Sequence, residues 1–333
     1  MTTPEFAREW ARSIGAPEAS LRALRGGLNN VLYVCERRGR QFVIKGYPRS
    51  EHDSRDRMQA EVSFLRYAGR VAPQYVPTLL EVDADLRCIV MEHIEGRLYE
   101  DGTQVTQADV RAASTFYGLL NEDLEAAKVM VQFLAAEAYS CVTEHLQNVR
   151  QRIGEMKVSH LQSGLQKPAH QLIQQLQQCL EQRAESIAKE LARGDFEDKL
   201  DFSGFRVSPS DFGFHNAILT SKGDRFFDFE FSGWDDPAKT LADFFLQPRI
   251  PVSADFNGFL TQASIKIPQR QRLSALASVL SLKWACIVLG VLNPARALRL
   301  SMIDEGQMTE GAIRLRLSRG SDYIRMETPV GLH

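Results

Sequence analysis

Ser208-Pro209-Ser210-Asp211-Phe212-Gly213-Phe214-His215-Asn216 and, a short turn further on, Phe226-Phe227-Asp228-Phe229-Glu230-Phe231-Ser232-Gly233-Trp234-Asp235-Asp236-Pro237 are the stretches that decide the fold of this 333-residue chain. Asp211 follows a proline-containing lead-in and precedes Gly213, which suits a loop more than a helix interior. Asp228 sits in an apolar run, where an unpaired carboxylate is costly to bury, so a metal ion or a positive partner is expected beside it. The competing reading makes Asp228 a strand residue turned to solvent, alternating with Phe227 and Phe229. Asp211, Asn216 and Asp228 together offer one carboxylate base and two hard oxygen ligands of the kind magnesium takes. Such a set suits phosphoryl transfer, which needs positioning and charge neutralisation more than covalent chemistry. An Asp-x-x-x-x-Asn spacing alone is common by chance. Its meaning depends on the rest of the chain.

Working outward, strand signals are confined to about residues 21–93. Val31-Leu32-Tyr33-Val34-Cys35 and Gln41-Phe42-Val43-Ile44-Lys45, joined by the polar turn Glu36 to Arg40, read as a hairpin. Arg25-Gly26-Gly27-Leu28-Asn29-Asn30 precedes it as a flexible turn whose glycines let a backbone approach phosphates closely, or simply turn the chain. Lys45, ending its strand, either meets phosphates or is a solvated lysine. Asp53 to Ala68 has helical spacing and carries Glu61, sixteen residues after Lys45 and a candidate partner for it. Thr78 to Asp83 and Leu86 to Glu92 form a second strand pair. From about 106 to 200 the pattern is helical, and the glutamine-rich stretch Gln171 to Leu191 keeps an apolar stripe. Pro237 to Phe245, with Asp236 as N-cap, Arg270 to Leu292 and Gly311 to Met326 read as further helices. The fold class is therefore α+β, with a strand-rich lobe over 1–93, including an N-terminal amphipathic helix, and a helical lobe over 94–333. His215 is expected to be a hydrogen-bonded structural residue pointing away from Asn216. Asp235 and Asp236 are expected to cap and brace, and Trp234 and Trp284 to pack.

Bulk properties narrow the partners. With 44% hydrophobic and 25% charged residues and a net charge of -2, the composition is globular and carries no basic footprint for nucleic acid. No apolar run approaches the roughly 20 residues that span a bilayer. The N-terminus lacks an apolar signal core, and five scattered cysteines show no metal-ligand spacing, so reduced thiols and a cytoplasmic location are expected.

The order of Gly-Gly-Leu-Asn-Asn, strand lysine, helix glutamate, Val90-Met91-Glu92, Asp-x-x-x-x-Asn and Asp-Phe-Glu resembles the aminoglycoside phosphotransferase and choline kinase-like family, from about Leu21 to Phe245. The resemblance implies a bilobal protein-kinase-like fold and an ATP- and magnesium-dependent kinase that phosphorylates a hydroxyl of a small metabolite, a sugar being one candidate. It implies Asp211 as catalytic base, Asn216 and Asp228 as magnesium ligands, and Lys45 on the α- and β-phosphates with Glu61 holding it. It also implies Val90-Met91-Glu92-His93-Ile94 as the hinge whose backbone meets the adenine edge, with Glu92 and Ile94 binding there, and Gly27, Asn29 and Asn30 in the loop over the phosphates. Two positions depart from the family: Pro209 stands where it usually has histidine, and His215 where glycine is common. These departures motivate the alternative of an inert nucleotide-binding scaffold; phosphorylation of a protein is the third reading.

Overall fold

The computed structural model describes residues 5–13, 21–24, 30–48, 55–253, 255–265, 270–303 and 305–326. Gly27 and Asn29 lie outside them.

Helix α1 (Glu5–Ser13) precedes a five-stranded antiparallel sheet built from β1 (Leu21–Leu24), β2 (Val31–Arg37), β3 (Arg40–Gly46), β4 (Leu79–Asp83) and β5 (Cys88–Glu92), in the order β1-β2-β3-β5-β4. The β2–β3 hairpin pairs Tyr33 with Ile44 and Leu32 with Lys45. Because side chains alternate across a sheet, this register puts Ile44 on one face and Lys45 on the other. On the Ile44 face, Trp10 of α1 packs edge-on against Phe42 and joins Tyr33, Cys35, Cys88 and Val90 in one buried cluster. The indole of Trp10 donates to Glu81 at 2.8 Å, which satisfies its polar edge. The Lys45 face looks toward α2 (Arg57–Val71), which is N-capped by Asp56 and buries Glu61, Val62 and Leu65. The helix starts four residues later than the spacing from Asp53 suggests, because Asp56 accepts from the Gln59 N–H and fixes the first turn.

The chain divides into two compact units, and each is described separately. The first comprises Met1–Ala136, Arg206–Trp234 and Thr261–Ile265. It holds the sheet, α2, β6 (Arg97–Leu98), α3 (Gln107–Leu119), α4 (Leu124–Met130), β7 (Arg206–Ser208), β8 (Ala217–Thr220) and β9 (Gly223–Phe226). It therefore contains more than residues 1–93: the Asp211 and Asp228 stretches fold with Lys45 and Glu61. Strands β6, β8 and β9 form a small antiparallel sheet, and Phe226 at its end stacks on Phe116 of α3 with centroids 5.3 Å apart. Next comes β10 (Gly233–Asp235), whose first residue has φ +153 and lies against the backbone of Phe133 to Ala135. A side chain at position 233 would collide with that backbone, which exchanges hydrogen bonds with Trp234.

The second unit comprises Glu137–Phe205, Asp235–Leu260 and Lys266–His333. Its helices include α5 (Val142–Gly154), α6 (Ser163–Arg193), α7 (Pro237–Leu246), α8 (Phe256–Ala263, whose last turn belongs to the first unit), α9 (Arg270–Val288), α10 (Pro294–Ile303) and α11 (Glu310–Arg325). Helix α9 packs against α5, α6, α7 and α11. That central place explains why its charged residues are buried and paired. Arg272 donates to Asp236 at 2.8 Å, and Lys283 reaches both oxygens of Asp243 at 2.6 and 2.8 Å. Asp236 also caps α7 by accepting from Ala238, and Asp235 takes the Lys239 ammonium at 2.5 Å, so both aspartates cap and brace as expected. Helix α6 buries Leu172, Ile173, Leu176, Leu180 and Ile187, the stripe expected within its glutamines. No helix among the described residues is long and apolar enough to cross a membrane.

Candidate active site

Lys45 is the centre of the site. It is 2% exposed, and its Nζ donates to Glu61 Oε2 at 2.6 Å and to Asp228 Oδ1 at 2.5 Å. Burial opposes the ammonium charge, but the carboxylates of Asp228 and Glu61 outweigh it, and the Lys45 pKa rises. Glu61 Oε2 also accepts the Tyr47 hydroxyl at 2.6 Å, and Oε1 accepts the backbone N–H of Phe229 at 3.2 Å. Both oxygens of this buried carboxylate are therefore satisfied. Desolvation first, and then the Glu61 charge, push the Tyr47 pKa well up, so its hydroxyl stays a donor.

Asp228 is neither an unpaired buried carboxylate nor a strand residue turned to solvent. Strand β9 stops at Phe226, and Asp228 has φ +66, a left-handed conformation that costs a non-glycine residue about 1–3 kcal/mol. The twist breaks the alternation expected from the sequence and aims the side chain at Lys45. The flanking phenylalanines do the anchoring: Phe226 and Phe229 are buried, and Phe229 packs on Phe64 of α2 at 4.5 Å. Oδ2 of Asp228 makes no hydrogen bond among the described residues, and the side chain is 33% exposed.

Asp211 lies in the loop after β7. Ser210 has φ +65, and its N–H is held by the Ser208 hydroxyl at 3.0 Å. Strand β7 is clamped in turn by Asn121, whose amide donates to the Val207 carbonyl at 3.0 Å and accepts the Val207 N–H at 2.7 Å. With Pro209 in the lead-in, Ser208 and Asn121 brace this loop. Asn216 spends its amide NH₂ on Asp211, at 3.0 Å to the carbonyl and 3.3 Å to Oδ2. That assignment leaves Asn216 Oδ1 as the acceptor face. The Phe227 N–H bonds the Asn216 carbonyl at 3.0 Å, which ties the second stretch to the first. His215 is hydrogen-bonded as expected, but its partner is Asp211 Oδ1, at 3.1 Å.

Asn216 Oδ1 and Asp228 Oδ2 are thus two hard oxygen donors on adjoining segments. Magnesium usually takes one or two protein ligands of this kind and fills its octahedron with water and phosphate oxygens. Among the described residues no group of three or more His, Cys, Asp or Glu is disposed to hold a metal.

Glu92 and Ile94 lie at the end of β5 and just beyond it. The Glu92 side chain accepts from Arg225 at 2.7 and 3.0 Å and from the N–H and hydroxyl of Thr78. Arg225 and Thr78 hold the Glu92 carboxyl down at a pKa of about 2. The Ile94 N–H makes no hydrogen bond among the described residues. Asn30, buried at the start of β2, is the one described member of the expected phosphate loop apart from the strand itself.

Three contributors carried no local sequence signal. Arg57 forms a buried ion pair with Glu230 at 2.9 Å, across 173 residues of chain. Tyr47 reaches Glu61, and Asn121 clamps Val207 from 86 residues away.

A buried strand lysine shared between a helix glutamate and an Asp-Phe-Glu segment, beside an Asp-x-x-x-x-Asn loop, defines an α+β, bilobal kinase-like fold. The chain belongs to the phosphotransferase enzyme family, whose pattern it matches over residues 20–273. It is a phosphotransferase with an alcohol group as acceptor. Among solved structures it is similar to a choline/ethanolamine kinase family protein from Mesorhizobium loti, at 18% identity and TM-score 0.53, covering 96% of this chain and 99% of that one. It is similar to the gentamicin-bound phosphotransferase APH(2")-IIa, at 16% identity and TM-score 0.60, covering 97% and 96%. It is also similar to spectinomycin phosphotransferase APH(9)-Ia in complex with ADP and spectinomycin, at 10% identity and TM-score 0.56, covering 90% and 93%. At these identities the likeness is one of fold. Curated proteins give no match.

Proposed function

We propose that this protein transfers the γ-phosphoryl group of ATP, with magnesium, to a hydroxyl of a small metabolite, with a sugar as one acceptor class. The observation that carries the reading is Lys45 held at 2.5–2.6 Å by Asp228 and Glu61 in the unit that also holds Asp211 and Asn216. Lys45 then lies on the α- and β-phosphates, and Glu61, fixed by Tyr47 and the Phe229 N–H, keeps it there. Residues 1–93 form the nucleotide-binding lobe, with Gly27, Asn29 and Asn30 over the phosphates and the backbone of Glu92 to Ile94 at the adenine edge; the Ile94 N–H, which makes no hydrogen bond among the described residues, suits that role. Residues 94–333 supply the catalytic loop and the acceptor site. The ADP bound in the spectinomycin phosphotransferase supports an adenine nucleotide.

Asp211 accepts the proton of the acceptor hydroxyl as that oxygen attacks the γ-phosphorus; the bond from phosphorus to the bridging oxygen of ADP breaks, and ADP carries away its electron pair. Asn216 Oδ1 and Asp228 Oδ2 are the ligands for magnesium, which when bound neutralises phosphate charge. A cytoplasmic location and the absence of a nucleic-acid partner go with this reading.

The test is transfer of label from γ-labelled ATP across a panel of sugars, amino alcohols and aminoglycosides, with Asp211→Asn as control. A labelled product is expected, with turnover falling by roughly 100- to 10,000-fold in the variant while ATP binding persists. Label appearing only in lysate proteins would make this a protein kinase. Binding of ATP without any labelled product would make it a scaffold.

A further inference from the structure

We propose that Arg225 is a positioning residue that ties the magnesium end of the nucleotide site to its adenine end. The inference rests on the reading of Asn216 and Asp228 as metal ligands and of the Glu92 to Ile94 backbone as the adenine edge. Both metal candidates belong to one hairpin. Asn216 immediately precedes β8, Asp228 follows β9 by two residues, and the Phe227 N–H closes the open end on the Asn216 carbonyl at 3.0 Å. Arg225 pairs with Ile218 one step inside that end, where Phe226 pairs with Ala217. Its guanidinium leaves the hairpin and forks onto Glu92, Nη1 donating to Oε1 at 2.7 Å and Nη2 to Oε2 at 3.0 Å. Nη2 also donates to the Val76 carbonyl. Glu92 is itself fastened. Its carboxylate accepts the Thr78 N–H at 3.1 Å and the Thr78 hydroxyl at 2.9 Å, and its own N–H donates to the Thr78 carbonyl at 2.9 Å. Arg225 therefore grips a carboxylate that cannot turn away, on the residue where the proposed adenine edge begins.

Strands β5 and β9 lie in different sheets, and no backbone hydrogen bond joins them among the described residues. Packing of β9 on the turn Pro73–Tyr75 adds a second contact, yet burial is non-directional. Two parallel charge-assisted bonds fix both a distance and an angle. Arg225 also does most to hold the Glu92 carboxyl down at a pKa of about 2, so the pair stays charged through the neutral range. ATP with magnesium must meet the adenine edge and the metal ligands at once. Two linked groups bind much more tightly than either alone only while the geometry lets both engage together. Loss of the fork should thus weaken a ligand that spans the two ends and spare one that uses a single end. Lysine in place of Arg225 keeps the charge but cannot fork, and methionine removes both.

The experiment is titration calorimetry on the full chain, with ATP and with inorganic tripolyphosphate, each with magnesium. Tripolyphosphate carries the phosphates without the adenine. Parent, Arg225→Lys, Arg225→Met and Arg225→Met/Glu92→Gln are compared. In both single variants the Kd for ATP should rise by roughly 10-fold while that for tripolyphosphate stays within about threefold. The double variant should bind ATP no more weakly than Arg225→Met, because both changes act through one contact. Equal weakening of the two ligands would make Arg225 a merely structural residue and overturn the proposal. Parental ATP affinity in the lysine variant, or additive losses in the double variant, would overturn it as well. If the methionine variant does not fold, the lysine variant decides the comparison alone. A parent chain that binds no ATP would sink the kinase reading and this inference with it, whereas one that binds ATP but not tripolyphosphate would sink this inference alone.

Discussion

Removing either partner of the Arg57–Glu230 pair should destabilise this protein far more than a surface ion pair would. The guanidinium and carboxylate lie 2.9 Å apart, with side chains 8% and 3% exposed. Exposed pairs contribute about 0.2–1 kcal/mol, because water screens them and side-chain entropy opposes them. At this burial the arithmetic changes: truncating one member deprives the other of a buried ion pair, at a cost of about 3–5 kcal/mol. Arg57→Met or Glu230→Met alone should therefore lower the melting temperature by on the order of 6–20 °C, taking about 2–4 °C per kcal/mol for a chain of this size or somewhat smaller. The double variant Arg57→Met/Glu230→Met removes both charges and restores apolar packing, so it should recover most of that loss. Melting followed by tryptophan fluorescence on the four proteins completes the cycle. Single variants costing under about 1 kcal/mol, or a double variant as unstable as the two losses added, would refute the argument.

The Glu92 carboxyl, held by Arg225 and Thr78 at a pKa of about 2 against an ordinary 4.5, adds stability that is fully present above about pH 4.5 and is lost as pH falls toward 2. The melting-temperature gap between parent and Glu92→Gln should thus be constant above pH 5 and close below 4.5; a gap that grows on acidification contradicts it. Lys45→Met should abolish the stabilisation that ATP with magnesium gives the parent in a thermal-shift assay, since the residue proposed to hold the phosphates is gone; an unchanged shift would move nucleotide binding elsewhere. The same variant leaves Glu61 buried beside Tyr47 without its cation, so the apo protein should also melt lower, by an amount that Lys45→Met/Glu61→Gln partly restores.

How much of this was legible depends on the distance over which each signal acts. The β2–β3 hairpin, the β4–β5 pair and α2 followed from alternation, turns and helical spacing, all local. The sixteen-residue step from Lys45 to Glu61 could be read because a strand and the next helix must pack together. The Arg57–Glu230 and Asn121–Val207 contacts could not: they join elements distant in sequence, and an arginine at a helix start or an asparagine after one has many ordinary uses. Asp228 was legible in its need for a cation and illegible in its geometry, since alternation assumes a strand that ends at Phe226. The glutamine-rich stretch was legible as helix, and it lies within α6 (Ser163–Arg193), where Pro168 sits early enough that few intrahelical bonds are lost.

One consequence of the site's construction concerns the helix α2 as a whole. Each of four successive residues is gripped from the segment 45–64: Asp228 by Lys45, the Phe229 N–H by Glu61 and its ring by Phe64, Glu230 by Arg57, and Phe231 by the Arg55 guanidinium 5.1 Å from its ring. Four of these contacts involve charge, and the Lys45, Glu61 and Arg57 side chains are nearly inaccessible to water, so the three that they make are not easily exchanged for a solvent contact. The strain of a left-handed Asp228, about 1–3 kcal/mol, is offset locally by this grip. The position of α2 and the direction of the Asp228 carboxylate are then linked through Glu61, which holds both Lys45 and the Phe229 N–H. A shift of the helix by a single ångström would stretch its bonds to 229 and 230 directly and would reach Asp228 by way of Lys45.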